Sequence, residues 1–372
     1  MVLEHLELVA FKSIATASCD FAPKLNCFFG GNGMGKTNLL DAIHYLSMAR
    51  SHLNTVDRLA IRIGSTEAIL SGDYRANDGE ETDRIALRLR MGQAKALSRN
   101  GRLYKRLSEH IGHYPLVIIS PQDYRLIRGG SDERRNWLDR LLSQHDALYL
   151  DLLIRYDRAL QQRNTLLKSD FQDEMLLSIV EEQMALTGVE IAQKRAEFVR
   201  DFTPTFNQLY QEICGDKSEC VTLNYLTATA PNRELFTQDL RQRRREERAT
   251  GYTTYGIHKD DLEMLLGENL MRKIGSEGQN KTFLTALKFT EYNLLANKLQ
   301  CRPILLLDDL FDKLDAERVE RIIGIVSRPI FGQIFITDTN RKYLDDIIEA
   351  QHESFHLYAV DHGNIALQAT SH

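Results

Sequence analysis

Apolar residues alternate with polar ones in the first part of the chain, and helical spacing follows. Residues 6–10 alternate and residues 14–21 are extended, which predicts a strand pair that turns near Lys12. An apolar strand is predicted at 25–29, followed by a glycine-rich turn and by helical spacing over 39–46. The beginning of the chain therefore has the order strand, loop, helix.

Strands are favoured again over residues 68–120. The apolar residues Ile85, Leu87 and Leu89 alternate with neighbouring residues that include Arg84, Arg88 and Arg90. Asn100-Gly101 is a hairpin turn signal, and 116–119 is an apolar run with the character of a buried strand. The pattern then changes, because apolar residues recur at helical spacing from 131 to about 215.

These patterns predict an α/β protein of two lobes. Three further elements are expected near the end of the chain: a strand at 302–309, a helix at 316–325 and a strand at 333–337. Residues 1–125 and 296–372 then form an α/β lobe, and residues 126–295 form a mainly helical lobe inserted between them. Helices of roughly 20 to 40 residues are too short for a long coiled coil.

Composition narrows the picture. The 372 residues are 43% hydrophobic, and the formal net charge of -5 gives no global basic signature, so that any contact with nucleic acid would depend on local patches. The five cysteines include no C-x-x-C pair, which fits a reducing compartment. No secretory pattern opens the chain, and no apolar run approaches the roughly 18 residues of a membrane span. We therefore expect a cytoplasmic protein with no membrane partner.

The glycine-rich turn is a phosphate-loop candidate. Residues Gly30–Thr37 read GGNGMGKT and fit G-x-x-x-x-G-K-[ST] between a strand and a helix. Backbone N–H groups and the helix N-terminus favour phosphate there, Lys36 is placed to reach the β- and γ-phosphates, and Thr37 is placed to ligate Mg²⁺. A glycine-rich turn with an exposed lysine is the alternative, which the flanking strand and helix disfavour.

A pair of carboxylates ends the strand near residue 304. Four apolar residues, 304–307, lead into Asp308 and Asp309. Because the carboxyl ends of core strands face the phosphate loop, Asp308 can hold Mg²⁺ and Asp309 can orient or deprotonate an attacking water. Two solvated carboxylates in a turn are the alternative.

The segment SEGQ, Ser276–Gln279, precedes another helix. Its hydroxyl and N–H groups can contact a γ-phosphate. A nucleotide held by Lys36 leaves its γ-phosphate open only outward, which favours a contact between SEGQ of one subunit and the nucleotide held by another. A plain helix cap is the alternative interpretation of the tetrapeptide.

Phosphate loop, SEGQ and LLLDDLFDKLD in this order resemble the ABC-type ATPase heads, and specifically the RecF family. Further similarity to that family lies in FKS at 11–13, SPQDYRLIRGGSDERRNWLD at 120–139 and GIHKDDL at 256–262. Asp312–Asp315 falls where the superfamily has its D-loop. The resemblance covers nearly the whole chain and implies an ABC-type head without a long coiled coil.

The resemblance implies roles for particular residues. Nucleotide binding is expected from Gly30, Gly31, Asn32, Gly33, Met34, Gly35, Lys36, Thr37 and Asn38, and in trans from Ser276, Gly278 and Gln279. Catalysis is expected from Lys36, Asp308, Asp309 and the Q-loop residue Gln122, with Mg²⁺ held by Thr37 and Asp308 and with Gln122 as a further candidate ligand.

The RecF family is known for an ATP-dependent homodimer that binds DNA at gaps between single and double strands. It works with RecO and RecR and helps to load the RecA recombinase. The resemblance therefore implies ATP and Mg²⁺ as cofactors, a weak DNA-stimulated ATPase, and a role in DNA repair, replication, recombination and the SOS response.

The chain departs from the family pattern at a few positions. Gly31 and Met34 replace the commoner proline and alanine of the loop, and GIHKDD replaces GPHRDD. Thr337-Asp338 stands where ABC transporters place a switch histidine, which leaves open the group that senses the γ-phosphate. Slow hydrolysis is expected.

Two further sets of residues give weaker indications of function. His258, Asp260 and Asp261 have metal-ligand chemistry, but a hydrogen-bonding corner is favoured and no metal is assigned to them. Basic residues that could contact DNA phosphates are Arg99, Arg102, Lys105 and Arg106 around the hairpin, and Arg241, Arg243, Arg244, Arg245 and Arg248 in the helical lobe. Glutamates interrupt the second group, so that a solvated face is the alternative there.

Other classes of protein give less consistent interpretations. A Rad50 or SMC relative is disfavoured by the lack of a long coiled coil. In a transporter subunit the signature follows the phosphate loop much more closely than Ser276 follows Lys36 here. A scaffold that binds ATP without hydrolysing it stays open, and phosphate release would separate it from an ATPase.

Overall fold

The computed structural model describes residues 1–54, 56–75, 81–169, 173–311, 314–351 and 354–371. Its strands are β1 (Val2–Phe11), β2 (Ile14–Asp20), β3 (Leu25–Phe29), β4 (Glu67–Arg75), β5 (Thr82–Arg90), β6 (Ala96–Arg99), β7 (Arg102–Leu103), β8 (Leu116–Ile119), β9 (Val221–Leu226), β10 (Asp261–Leu266), β11 (Asn269–Leu270), β12 (Ile304–Asp308), β13 (Ile334–Asp338), β14 (Phe355–Asp361) and β15 (Asn364–Ser371). Its helices are α1 (Lys36–Met48), α2 (Tyr124–Arg128), α3 (Ser131–His145), α4 (Ala147–Lys168), α5 (Glu174–Cys214), α6 (Arg233–Thr250), α7 (Met271–Ile274), α8 (Glu277–Leu299), α9 (Ala316–Val326) and α10 (Arg341–Gln351).

The chain folds into two compact units. Unit 1 comprises Met1–Asp123, Glu212–Gly215 and Glu277–His372, and unit 2 comprises Tyr124–Gln211 and Asp216–Ser276. The sequence assigned residues up to 295 to the inserted lobe, whereas the structure places α8 in unit 1. The physical reason is that α8 packs on β8, a strand of the unit 1 sheet.

The main sheet of unit 1 has the strand order β15-β14-β3-β13-β12-β8. Strands β14, β3, β13, β12 and β8 are parallel, and β15 adds an antiparallel edge. Every residue of β8, β12 and β13 is buried, as expected for parallel strands covered on both faces. Because β13 lies between β3 and β12, the carboxyl ends of these three strands are neighbours at one edge of the sheet.

A second, antiparallel sheet completes unit 1, in the order β2-β1-β4-β5-β6-β7. Helix α1 contacts strands of both sheets, and Leu39, Leu40 and Ile43 are fully buried in the core. The predicted hairpin joins β6 to β7, and both Asn100 (φ 51°) and Gly101 (φ 78°) have the left-handed backbone of a type I′ turn. Unit 1 therefore sandwiches the first helix between two sheets.

Unit 2 is mainly helical, as predicted, and also contains a small antiparallel sheet, β11-β10-β9, that the sequence did not indicate. The fully buried Arg163 of α4 forms ion pairs with Glu181 of α5 (3.0 Å) and Glu247 of α6, both of which are fully buried as well. Arg163 also donates to the Thr253 hydroxyl (2.9 Å) and the Leu240 carbonyl (3.1 Å), so that the buried charge is well hydrogen-bonded. These bonds connect the three long helices of unit 2.

Among the helices of the described ranges, none combines the length and the apolar character that a bilayer crossing needs.

Candidate functional site

The phosphate loop lies between β3 and α1, at the carboxyl edge of the main sheet. Its residues Gly31–Gly33 are exposed, so that the loop backbone is open to a ligand. Gly30 is required for close approach, because a Cβ there would lie 2.3 Å from the Val360 carbonyl oxygen. Gly35 has φ 112° at the start of α1, a conformation that other residues rarely adopt. The local sequence thus forms an exposed loop that ends at a helix N-terminus, as phosphate binding requires.

Lys36 is folded back over this loop. Its side chain is buried, and its ammonium group donates to the carbonyl oxygens of Gly30 (2.9 Å) and Gly31 (3.1 Å). These bonds hold the ammonium group at the centre of the loop. From there it can exchange the two carbonyl oxygens for phosphate oxygens when a nucleotide binds.

Asp308 faces the start of α1. Its Oδ1 accepts hydrogen bonds from the Thr37 hydroxyl at 3.1 Å and from the Thr337 hydroxyl at 2.6 Å. Burial raises the pKa of the Asp308 carboxyl, while the two hydroxyl groups act in the opposite direction. The structure therefore brings together the two predicted Mg²⁺ ligands, Thr37 and Asp308, and adds Thr337, which sequence reasoning missed.

Asp309 has an unusual backbone and an unsatisfied side chain. Its φ is 47°, and its N–H donates to the Thr337 carbonyl oxygen at 3.2 Å. Its Oδ1 is buried and has no hydrogen-bond partner among the described residues. An unpartnered carboxylate oxygen beside the phosphate loop fits a group that holds a water or a metal-bound ligand.

Asp338 is a third carboxylate near this edge. Burial raises its pKa, and the charge of Asp309 raises it further, while Lys36 lowers it. Its Oδ1 accepts from the Asn340 N–H at 2.7 Å. The position at which the sequence left the γ-phosphate sensor open is therefore occupied by a buried acid that interacts with both Asp309 and Lys36.

The Q-loop candidate Gln122 follows β8, the neighbour of β12 in the sheet. Its backbone N–H donates to the Ser120 hydroxyl at 3.2 Å, and the Asp123 carboxylate accepts from the Ser120 N–H at 2.8 Å. Lys288 of α8 lies 3.4 Å from the Asp123 carboxylate, with both side chains buried. These contacts fix the turn that carries Gln122, while its role in nucleotide sensing stays a prediction.

The SEGQ segment lies at the start of α8, as the sequence predicted. Ser276 and Glu277 are exposed, and the helix begins at Glu277. A Cβ at Gly278 would lie 2.6 Å from the Arg318 guanidinium, so that glycine allows this arginine to approach the helix start. Of the D-loop candidate, Asp312 lies outside the described residues, and Asp315 caps α9 by accepting from the Arg318 N–H at 2.9 Å.

The FKS segment supports the loop from the antiparallel sheet. The Asn38 side chain donates to the Ser13 hydroxyl at 2.7 Å, and Lys12 pairs with the buried Asp41 of α1 at 2.5 Å. Asp41 also accepts from the His52 N–H at 2.6 Å. Ser13 could have been found from the sequence, because it is part of the FKS match to the family. Asp41 and Thr337 could not, because their roles depend on contacts between segments that are distant in the chain.

The candidate DNA residues differ in how far they are engaged within the protein. Arg99 pairs with Asp83 (2.7 Å), Arg106 with Glu109 (3.1 Å), Arg241 with Glu182 (3.5 Å) and Arg244 with Glu181 and Glu174, and Arg243 lies over the Tyr255 ring. By contrast, Arg102, Lys105 and Arg245 are exposed and form no ion pair with the described residues. The last three have the side chains most available to a phosphate backbone.

His258, Asp260 and Asp261 have separate hydrogen-bonding partners in unit 2. His258 accepts from the Tyr156 hydroxyl at 2.9 Å, and Asp261 pairs with Arg134 at 2.7 Å. The carboxylate of Asp260 accepts from the Tyr225 hydroxyl. Their side chains thus bind different neighbours, as in a hydrogen-bonding corner.

The fold and the site define an ABC-type ATPase head. An AAA domain family matches residues 5–367. The Smc head domain of Pyrococcus furiosus, bound to the C-terminal domain of ScpA, has the same fold, with a TM-score of 0.58 at 16% identity over 100% of this chain and 96% of that chain.

More similar relatives carry one name. The DNA replication and repair protein RecF of Porphyromonas gingivalis is 52% identical over 98% of this chain and 100% of its own length, and that of Parabacteroides distasonis is 50% identical over 98% and 99%. The solved structure of the recombination mediator protein RecF with ATP, of the RecFOR pathway, matches with a TM-score of 0.89 at 27% identity, over 99% of this chain and 98% of that chain. The chain belongs to the RecF family.

Proposed function

We propose that this chain is an ATP-dependent DNA-binding protein of recombinational repair, and that ATP clamps two copies of it together on DNA. The observation that carries the proposal is the contact of Thr37 with Asp308 beside the buried Lys36. It joins the phosphate loop to the end of β12 in one site. The name and bound nucleotide of the related RecF structure support the same activity.

Mg²⁺ fits the donors of this site. A hydroxyl and a carboxylate oxygen lie within 3.1 Å of each other, and hard oxygen donors of this kind suit Mg²⁺. Thr37 and Asp308 would hold the ion, with Gln122 as a further candidate. When bound, Mg²⁺ would neutralise the charge that develops on the phosphates. Asp309, whose buried Oδ1 has no hydrogen-bond partner in the part of the chain that the structure describes, would orient the attacking water.

The ATP site is completed by a second copy of the chain. Ser276 is exposed immediately before α8, and the helix N-terminus that follows it favours an anion. Ser276, Gly278 and Gln279 of one copy would meet the γ-phosphate held by Lys36 of the other. ATP binding then closes the homodimer and hydrolysis opens it.

DNA would be bound mainly through its phosphates. The exposed Arg102 lies in β7, Lys105 follows that strand, and Arg245 lies on α6. None of the three is neutralised by an ion pair with the described residues. Gapped DNA is the proposed substrate, with RecO and RecR as partners in loading RecA.

Sedimentation of the full chain tests the proposal directly. We expect monomers without nucleotide, dimers with saturating AMP-PNP and Mg²⁺, and tighter binding of gapped DNA in the dimeric state. Phosphate release from ATP should be slow and faster with DNA. Monomers at every protein concentration with AMP-PNP would contradict the clamp, and ATP binding without phosphate release would favour a scaffold.

A further inference from the structure

Thr337 is fully buried at the carboxyl end of β13, between the two strands that carry the ATP chemistry. In the parallel register it is paired with Asp308 of β12 on one side and with Phe28 of β3 on the other. It lies next to Asp338, where the sequence left the γ-phosphate sensor open. Its hydroxyl group is therefore held in a fixed place by the sheet.

This hydroxyl contacts both carboxylate residues of the site. It donates to Asp308 Oδ1 at 2.6 Å, and it accepts from the Asp309 N–H at 3.3 Å. The carbonyl oxygen of Thr337 accepts from the same N–H at 3.2 Å. One side chain thus binds the carboxylate of the first aspartate and the backbone of the second.

The contact with Asp308 fixes a shared oxygen. Asp308 Oδ1 also accepts from Thr37 at 3.1 Å, so that two hydroxyl groups, from α1 and from β13, determine the orientation of the carboxylate. Hydrogen bonds of this kind orient metal ligands and strengthen metal binding. Thr37 is expected to ligate the metal itself, whereas Thr337 would affect the metal through the Asp308 carboxylate to which it donates.

The contact with Asp309 holds a disfavoured backbone. A φ of 47° is uncommon for a residue with a Cβ, and it sets the direction of the Asp309 side chain. The two bonds from the Asp309 N–H to Thr337 stabilise this conformation. They also keep the Asp309 side chain where its Oδ1 is buried and has no hydrogen-bond partner within the described ranges.

We infer that Thr337 is a positioning residue of the ATP site, which orients Asp308 for Mg²⁺ and holds Asp309 in place for the attacking water. The inference rests on the proposed function. It assigns to the hydroxyl of Thr337 a task that no motif residue performs, and it makes Mg²⁺ affinity the property that depends on it.

The test uses variants that differ mainly in this hydroxyl. Thr337→Val keeps the branched shape and removes the hydroxyl, Thr337→Ala removes it with a smaller side chain, and Thr337→Ser retains it. Thr290→Val is the matched control, because Thr290 is also a buried threonine of unit 1 and its hydroxyl donates only to the Ala286 carbonyl of its own helix, at 2.7 Å.

The measurement is equilibrium binding of a fluorescent, non-hydrolysable ATP analogue to the full chain, titrated with Mg²⁺ and repeated in EDTA. We expect Thr337→Val and Thr337→Ala to raise the half-saturating Mg²⁺ concentration by roughly 10-fold or more. Affinity in EDTA should change by less than about twofold, since the phosphate loop is intact. Thr337→Ser should stay within about threefold of the unmodified protein in Mg²⁺, and Thr290→Val should match it.

The outcomes separate this inference from the proposed function. Unmodified protein that binds no nucleotide, or binds it without regard to Mg²⁺, would overturn the proposed function. If that protein responds to Mg²⁺ and the two hydroxyl-free variants respond identically, the inference is wrong. Equal losses in EDTA and in Mg²⁺ would show a general structural role and would also overturn it.

Discussion

The hydroxyl oxygen of Thr37 lies 3.1 Å from a carboxylate oxygen of Asp308, although 271 positions separate the two residues in the chain. The contact exists because β13 lies between β3 and β12 and aligns their carboxyl ends. It places the phosphate loop, the proposed metal ligand Asp308 and the proposed hydrolysis carboxylate Asp309 at one edge of one sheet.

Lys36→Ala should weaken ATP binding by roughly 10- to 100-fold, because it removes charged hydrogen bonds to the phosphates. Fluorescence titration with a labelled ATP measures the effect. Lys298→Ala, an exposed lysine near the end of α8, is the control and should bind as the unmodified protein does. Equal affinities for all three proteins would remove the phosphate-loop assignment.

Asp309→Asn should slow phosphate release by roughly 100-fold or more while ATP still binds, because the group that orients or deprotonates water is lost. The ATP-bound dimer should therefore accumulate in light scattering. Asp151→Asn changes an exposed carboxylate of unit 2 and should behave normally. Rapid turnover by Asp309→Asn would assign the role to another group.

Ser276→Arg should block dimerisation and leave ATP binding by the single chain within about twofold, because the phosphate loop is unchanged. The added side chain would fill the space that the γ-phosphate of the other copy needs. Sedimentation with AMP-PNP measures this, and Thr250→Arg adds the same side chain at an exposed site near the end of α6. Normal dimers of Ser276→Arg would contradict a signature acting in trans.

Substitutions in the two basic groups should have different effects. Arg102→Ala with Lys105→Ala should weaken DNA binding and lower its salt slope by about 2, since each residue is expected to contact a phosphate. Arg244→Ala should instead destabilise unit 2 by roughly 1–3 kcal/mol, because it removes a partner of the buried Glu181. Salt-dependent gel shifts measure the loss of DNA binding, and urea unfolding measures the loss of stability. Unchanged DNA affinity of the Arg102→Ala, Lys105→Ala variant would exclude these two residues as DNA contacts.

Stability should fall as pH decreases from 6.5 towards 4, in part because of His110. Burial lowers the pKa of His110 to about 4, so that over this range the unfolded chain binds a proton that the folded protein does not. Its Nε2 donates to the Leu46 carbonyl at 2.7 Å, a bond that glutamine can replace. His110→Gln should therefore flatten the pH dependence of the urea midpoint. If the midpoint of the variant falls with pH as steeply as that of the unmodified protein, His110 is not a cause of the pH dependence.

Much of the local structure of the candidate ATP site could be predicted because its parts are local in sequence. The glycine pattern, the flanking strand and helix, and the apolar run before Asp308 each specify a local structure that the fold retains. Thr337 could not be found in this way, since the target of its hydroxyl depends on the register between β13 and β12.

The predicted boundary of the inserted lobe differs from the structure for another physical reason. Thr285, Ala286, Leu287 and Lys288 of α8 are all buried in succession, so that the helix has no single apolar face that would indicate its partner. Strand β15 was missed because most of its residues are exposed and it has no apolar run. Both elements are defined by the strands beside them.

The parallel pairing of β3 with β14 has a consequence for synthesis on the ribosome. Strand β3 is translated before unit 2, but its neighbours β13 and β14 are translated after unit 2. A nascent polypeptide therefore cannot assemble the nucleotide pocket before β13 and β14 have been translated. Until the final strands emerge, the early segments expose apolar surface, and chaperones that shield growing chains become important for the yield of folded protein.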